Sequence, residues 1–198
     1  MISSIKKQIR ENIYVDEAFL SDTAGLKSTE KVIRVIIRSI KKGGKLLIIG
    51  NGGSASQAQH FAAELVNRFR LDRKALPALA LTTDTSNLTS IGNDAGFDFI
   101  FSRQIEALGK KGDVCVALTT SDSEGERNGH STNLFLALRK AKKLHMTTVG
   151  LVSEKTKNLL KLLDYAIIVP SQDTPRIQET HGLIIHIISE EVERKVSK

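Results

Sequence analysis

His60 and Glu64 stand four residues apart in a stretch, residues 54–69, whose apolar spacing is helical, so they share one face about a turn long. An imidazole and a carboxylate at that spacing can clasp a divalent metal or act as base and orienter; they can equally form an exposed hydrogen bond with no further role. Just upstream, an apolar run passes into Gly50-Asn51-Gly52-Gly53-Ser54 and then into that helix. Such a junction turns backbone N–H groups toward an anion, with glycines allowing close approach and positive φ. The spacing is neither Gly-x-Gly-x-x-Gly nor a phosphate loop ending in Gly-Lys-Ser/Thr, so a small polar or phosphorylated ligand fits better than a nucleotide. A tight turn without a ligand is the alternative. Thr119-Thr120-Ser121 puts three hydroxyls after another apolar run, where open α/β sheets bind ligands, although hydroxyls are also common in turns. Near the C-terminus, Gln178, His181 and His186 interrupt an apolar stretch. His186, among Ile184, Ile185, Ile187 and Ile188, is costly to bury unpaired and needs a partner.

The elements that must position these residues are legible as alternating runs. Continuous apolar segments at residues 45–49, 78–82, 113–119, 147–152 and 165–169 predict buried strands of a parallel sheet. Between them, residues 54–69, 97–108, 133–144 and 154–163 have helical periodicity. Two more helices are expected before the first strand, at 5–21 and 28–42, and a long one closes the chain at 175–195. This order predicts an α/β three-layer sandwich with five parallel strands and right-handed crossovers. The apolar stripe of the closing helix is too broad for one face on a small sheet, so subunit contact is its expected use. The polar segment of residues 121–130, with two glycines, reads as a long mobile loop.

At 198 residues, 40% hydrophobic and 26% charged, the chain fits one domain spanning 1–198 with a full-sized core, which needs no disulfide or structural metal. Its one cysteine, Cys115, lies in an apolar run and reads as a small buried hydrophobe suited to a reducing compartment. No apolar run is long enough for a membrane helix, and the N-terminus lacks the apolar core of a signal peptide, so a cytoplasmic protein is expected. The net charge of +7 is compatible with nucleic acid or with small phosphorylated substrates. Its basic residues are scattered in pairs such as Lys41-Lys42 and Lys142-Lys143, which suits solvated helix ends with a mild attraction for anions. No nucleic-acid partner is expected.

Six ordered blocks cover the chain from about residue 42 onward: Gly50-Asn-Gly-Gly-Ser54, Ala58-Gln-His-Phe-Ala-Ala-Glu-Leu65, Ala80-Leu-Thr-Thr-Asp-Thr85, Ile91-Gly-Asn-Asp-Ala-Gly-Phe97, Arg103-Gln-Ile-Glu-Ala-Leu108 and Arg176-Ile-Gln-Glu-Thr-His181. Together they resemble the phosphoheptose isomerases, enzymes of the sugar-isomerase (SIS) fold. The resemblance implies conversion of sedoheptulose 7-phosphate into D-glycero-D-manno-heptose 7-phosphate, at the start of nucleotide-activated heptose synthesis for lipopolysaccharide or capsule. It also implies a homotetramer with active sites between subunits and one zinc ion per subunit. The N-terminal helices, about residues 5–42, are expected in the subunit interface.

Carried over residue by residue, the resemblance implies metal ligands at His60, Glu64, Gln178 and His186. Substrate contacts fall on Asn51, Gly52, Gly53, Ser54, Glu64, Asn93, Asp94, Thr119, Thr120, Ser121, Ser131 and Gln178. Glu64 is expected to move the proton between carbons and His186 to do acid-base work on the ring oxygen, with zinc as Lewis acid. Gln178 and His186 are eight apart, about 12 Å along a helix, so they meet at one metal only by leaning together or across subunits; His181 is a spare candidate. The family usually reads Ser-Thr-Ser-Gly-Asn-Ser-x-Asn where this chain runs from Thr119 to Asn133, longer by about seven residues. Aligning Ser131 with the second phosphate-binding serine keeps the cradle with an insertion. The other alignment alters phosphate affinity or substrate choice, with Asp122, Glu124 and Glu126 repelling a phosphate brought close.

Two rivals share the fold. One is a catalytically silent tetramer that binds the replication initiator; as the resemblance has it, that branch lacks the carboxylate and second histidine that stand here at 64 and 186. The other is a sugar-phosphate-sensing regulator domain, which ordinarily carries a DNA-binding segment, and none is visible in the sequence.

Overall fold

The computed structural model describes residues 1–123 and 131–197. Two helices, α1 (Ile2–Ser21) and α2 (Thr23–Lys41), precede a parallel sheet of β1 (Leu46–Gly50), β2 (Ala78–Ala80), β3 (Val114–Leu118), β4 (Thr147–Ser153) and β5 (Tyr165–Val169). The strand order is β2-β1-β3-β4-β5, and the register places Ile48 beside Ala80 on one side and Val116 on the other. β1 and β3 are buried along their whole length. Helices on both faces require that, and it is why these runs are continuous rather than alternating in hydrophobicity.

Successive strand residues point to opposite faces. Leu46, Ile48, Val116 and Leu151 pack with α1, α2, α3 (Gly53–Val66) and α7 (Thr174–Val196). Leu47, Ile49, Cys115 and Ala117 pack with α5 (Ile100–Leu108) and α6 (Thr132–Lys143) on the other face. Burial pushes the Cys115 thiol up to about 12, so this cysteine is inert packing.

One expectation is corrected, and two features were not visible in the sequence. Residues 154–163 form no α-helix: a 3-10 turn, Leu159–Leu162, occupies the end of that stretch. The leucines matched a helical period, but the Asp122 carboxylate takes the Asn158 and Leu159 N–H groups at 2.9–3.1 Å; Leu159 is buried, with Leu162 and Leu163 packed part-buried against the same core. A helix the periodicity did not show, α4 (Thr85–Asp94), buries none of its residues. It is started by its cap, the Asp84 carboxylate accepting from Asn87 N–H at 3.0 Å. The closing helix spends most of its apolar stripe on the core, through Ile177, Ile184, Ile185, Ile188 and Val192, leaving Leu183 and Ile187 exposed. The broader exposed stripe lies on α1, at Ile2, Ile5, Ile9 and Ile13. None of the described helices is long and apolar enough to cross a membrane.

Candidate active site

β1 and β3 are neighbours whose following helices leave on opposite faces of the sheet, which opens a crevice at their carboxyl ends. The turn after β1 needs its glycines. Gly52 has φ 54°, which favours glycine, and a Cβ on Gly53 would lie 2.5 Å from the Gln178 amide nitrogen, so a side chain there would push the Gln178 amide out of its place. Among the described residues, the Gly52 and Gly53 N–H groups donate no hydrogen bond, as expected at a helix start. Ser54, a buried residue, follows them into α3.

Across the crevice, Ser131 caps α6 with φ 60°, left-handed for a non-glycine residue. Such strain is held only where the surroundings impose it, and it clusters at functional sites. Two residues on, Asn133 exchanges reciprocal amide hydrogen bonds with Asn51, both 2.9 Å. This pair ties the glycine turn to the start of α6, so two helix N-termini face one crevice. Asn51 is therefore occupied through its side chain by Asn133. Thr119 Oγ accepts from the Ser121 N–H at 3.2 Å, and the Thr174 hydroxyl lies 3.3 Å from that of Thr120. Residues 124–130, which carry most of the expected loop with Glu124 and Glu126, lie outside the described residues. Asp122 is not aimed at the crevice as the sequence suggested. Burial alone would raise its carboxyl, but backbone N–H groups of Asn158, Leu159, Ser123 and Lys157 hold it below the usual range.

A second group lies about two to three turns along α3. His60 Nε2 is 2.8 Å from Glu64 Oε1 and 3.3 Å from His186 Nε2. The three ligand atoms all lie within 4.8 Å of one another. A neutral imidazole nitrogen is either a donor or an acceptor, yet His60 Nε2 faces a carboxylate that needs a donor and a second imidazole. One hydrogen cannot serve both contacts well; a cation can serve all three groups. With Zn–N bonds of about 2.0–2.1 Å, two ligands of a tetrahedral ion stand about 3.3–3.4 Å apart, which the two histidines match. Three ligands leave an open position, as catalytic zinc sites do. The residues fit the metal that the resemblance implies.

Gln178 and His181 are not brought to this triad. α3 and α7 run in the same direction, with Gly53 beside Gln178, Gln57 donating to the Gln178 carbonyl at 2.6 Å and His60 beside His186. Because α7 is unbroken, Gln178 stays about 12 Å from His186 along the axis. It belongs with the glycine turn. Asn93 donates to Asp94 at 2.8 Å on α4, and among the described residues neither side chain hydrogen-bonds to either group. Residues that sequence reasoning left out are Asn133, Phe69, Arg73 and Glu193. Only Asn133 had a local signal, since Ser131-Thr132-Asn133 matches the end of the family's serine motif.

His181 is fully buried; its Nε2 meets the Val152 carbonyl at 3.3 Å and its Nδ1 has no partner. Burial pushes the imidazole down to about 4, against the Val152 hydrogen bond that raises it. Above about pH 6.5 the ring is neutral in both folded and unfolded chains and adds no pH dependence. Below that the unfolded chain binds a proton that the folded one refuses, so stability is lost from pH 6.5 toward 4, at about 1.4 kcal/mol per unit. Urea titrations at pH 7 and pH 5 should differ by about 2 kcal/mol more for the native chain than for His181→Leu. Equal pH dependence in the two would remove this account.

Comparison with known proteins bears on what this arrangement is. Residues 20–153 match the profile of the SIS domain. The chain is 45% identical over 196 residues to the phosphoheptose isomerase of Clostridium acetobutylicum, covering 99% of this chain and 96% of the relative. Among solved structures it superposes on the phosphoheptose isomerase of Neisseria gonorrhoeae with a TM-score of 0.87 at 35% identity, covering 97% of this chain and 98% of that one. The corresponding structure from Francisella tularensis gives 0.89 at 30% identity, with 98% of each chain covered.

Proposed function

The chain belongs to the SIS domain family and, within it, to the phosphoheptose isomerases, and on that premise we propose that it converts sedoheptulose 7-phosphate into D-glycero-D-manno-heptose 7-phosphate through the residues described above. The observation that carries the site assignment is the convergence of His60, Glu64 and His186 from two helices. A ketose becomes an aldose when a proton leaves C1, an enediol forms across C1 and C2, and a proton returns to C2. Glu64 is the base for that transfer. His186, within 4.8 Å of it, handles the ring-oxygen proton when the sugar opens and closes. His60, Glu64 and His186 would hold a zinc ion, which as a Lewis acid polarises the substrate's oxygens. Gln178, lodged against Gly53, is assigned to substrate; it joins a zinc site only if that site is completed between subunits.

The phosphate is assigned to the crevice between β1 and β3. The open Gly52 and Gly53 N–H groups, the hydroxyls of Thr120, Ser121 and Ser131, and two helix N-termini all favour a dianion there, while the buried Thr119 hydroxyl donates to the Ser121 carbonyl at 3.0 Å and shapes the strand end. Ser131 at the head of α6 supports the alignment that keeps the cradle. Asn93 and Asp94 are further substrate contacts on this reading. A homotetramer seated on the exposed α1 stripe, a cytoplasmic location and a place at the start of heptose activation for lipopolysaccharide or capsule complete it. A sedimenting mass equal to one chain would remove the tetramer. The silent initiator-binding alternative is not favoured, since it makes no use of the converging triad.

The test is incubation of the purified protein with sedoheptulose 7-phosphate, which should yield an aldose phosphate; no product would reject the reading. Chelator treatment followed by dialysis is expected to remove at least about 90% of the activity, with Zn²⁺ restoring it. Full activity after verified metal removal would discard zinc and leave the isomerase intact.

A further inference from the structure

His186 is exposed, and its helix fixes only its backbone, so something else must set the ring. Two rings box it: His60 meets it edge-on, centroids 5.0 Å apart at 77°, and Phe69 stacks on it at 5.7 Å and 25°. Phe69 lies beyond the end of α3, in a segment with no regular structure of its own. What holds that segment is a carboxylate from α7. Glu193 accepts from the N–H groups of Phe69 at 2.9 Å, Arg70 at 2.7 Å and Leu71 at 2.9 Å, and from Arg73 Nε at 3.0 Å.

Arg73 turns back to the end of α3. It donates to the carbonyls of Glu64, Leu65, Asn67 and Lys74 at 2.8–3.0 Å, so all five of its guanidinium N–H groups are used. The side chains of Arg73 and Glu193 are 3% and 1% exposed. Burial alone would raise the Glu193 carboxyl, but the three amides and Arg73 hold it below the usual range. A buried ion pair is not a cheap way to stabilise a fold, since apolar residues often do as well. This one is spent on the turn that joins the backbone of Glu64 to the ring against His186.

We propose that Glu193 and Arg73, acting through Phe69, are positioning residues that hold His186 and Glu64 in metal-binding geometry. The inference rests on the reading of the triad as a metal site. Groups that orient metal ligands typically change affinity by about 10- to 100-fold when removed.

The test uses Co²⁺ alone as the probe, with affinity from chelator competition and site geometry from the visible absorption of bound Co²⁺. Phe69→Leu is expected to weaken Co²⁺ binding by about tenfold or more and to change the absorption band, while the melting temperature moves little. Phe69→Tyr, which keeps the ring, should restore both. Glu193→Gln should weaken binding in the same way, and if it does not fold, the Phe69 pair decides. Native affinity and an unchanged band in folded Phe69→Leu overturn the inference and leave the metal site standing. A native chain that binds no Co²⁺ overturns the metal reading and this inference with it.

Discussion

Glu64→Gln is expected to lower turnover of sedoheptulose 7-phosphate by about 10³-fold or more while the protein stays folded. The carboxamide keeps the size and shape of the side chain but cannot take up a proton from carbon near neutral pH, and general-base contributions run to about 10²–10⁴. The loss grows if the same oxygen also ligates the metal, as its 2.8 Å approach to His60 Nε2 suggests. Stability should change little, because the Glu64 side chain is partly exposed and its removal leaves no buried charge unpaired. Steady-state kcat with the sugar phosphate, beside a thermal melt, reads both quantities. Native turnover in the variant would take Glu64 out of the reaction.

Arg73→Met should produce the largest loss of stability, about 3–5 kcal/mol, because it takes the buried Glu193 carboxylate's cation away and removes a donor from four carbonyls, of which Leu65 keeps the Leu76 N–H. Methionine fills similar space, so the loss reports the missing charge and hydrogen bonds more than a cavity. For a chain of this length each kcal/mol is worth about 2–4 °C, so a fall of about 10 °C in Tm is expected. A fall of under about 2 °C would mean that the segment between α3 and β2 is held by other contacts.

Much of the architecture was legible because parallel strands buried on both faces read as continuous apolar runs. All five strands lie where those runs lie, with ends differing by a residue or two. The helix expected at residues 154–163 failed because four leucines in ten residues satisfy a helical period without needing a helix. The side chain that stops it, Asp122, is 36 residues away. α4 went unseen because it turns no apolar face inward. The Gly50–Ser54 turn and the His60–Glu64 pair were readable since their geometry is local: a strand, a glycine turn and one helical turn.

Choosing among the residues of the closing helix required the packed molecule. Its composition offered two histidines and a glutamine, and periodicity alone says that His181 and His186, five residues apart, differ by about 140° around the axis. Which of those directions meets α3 and which meets β4 depends on how α7 is rolled against its neighbours. In the fold His181 is buried beside Val152 and His186 faces His60. The Asn51–Asn133 pair and the Arg73–Glu193 clamp join residues 82 and 120 positions apart, so no local pattern carries them. The sequence by itself determined the family, the sheet and the turns that local spacing can specify. The tertiary structure decided which polar groups meet, because a contact between distant segments depends on the rotation and register of packed helices, to which a one-dimensional pattern is blind.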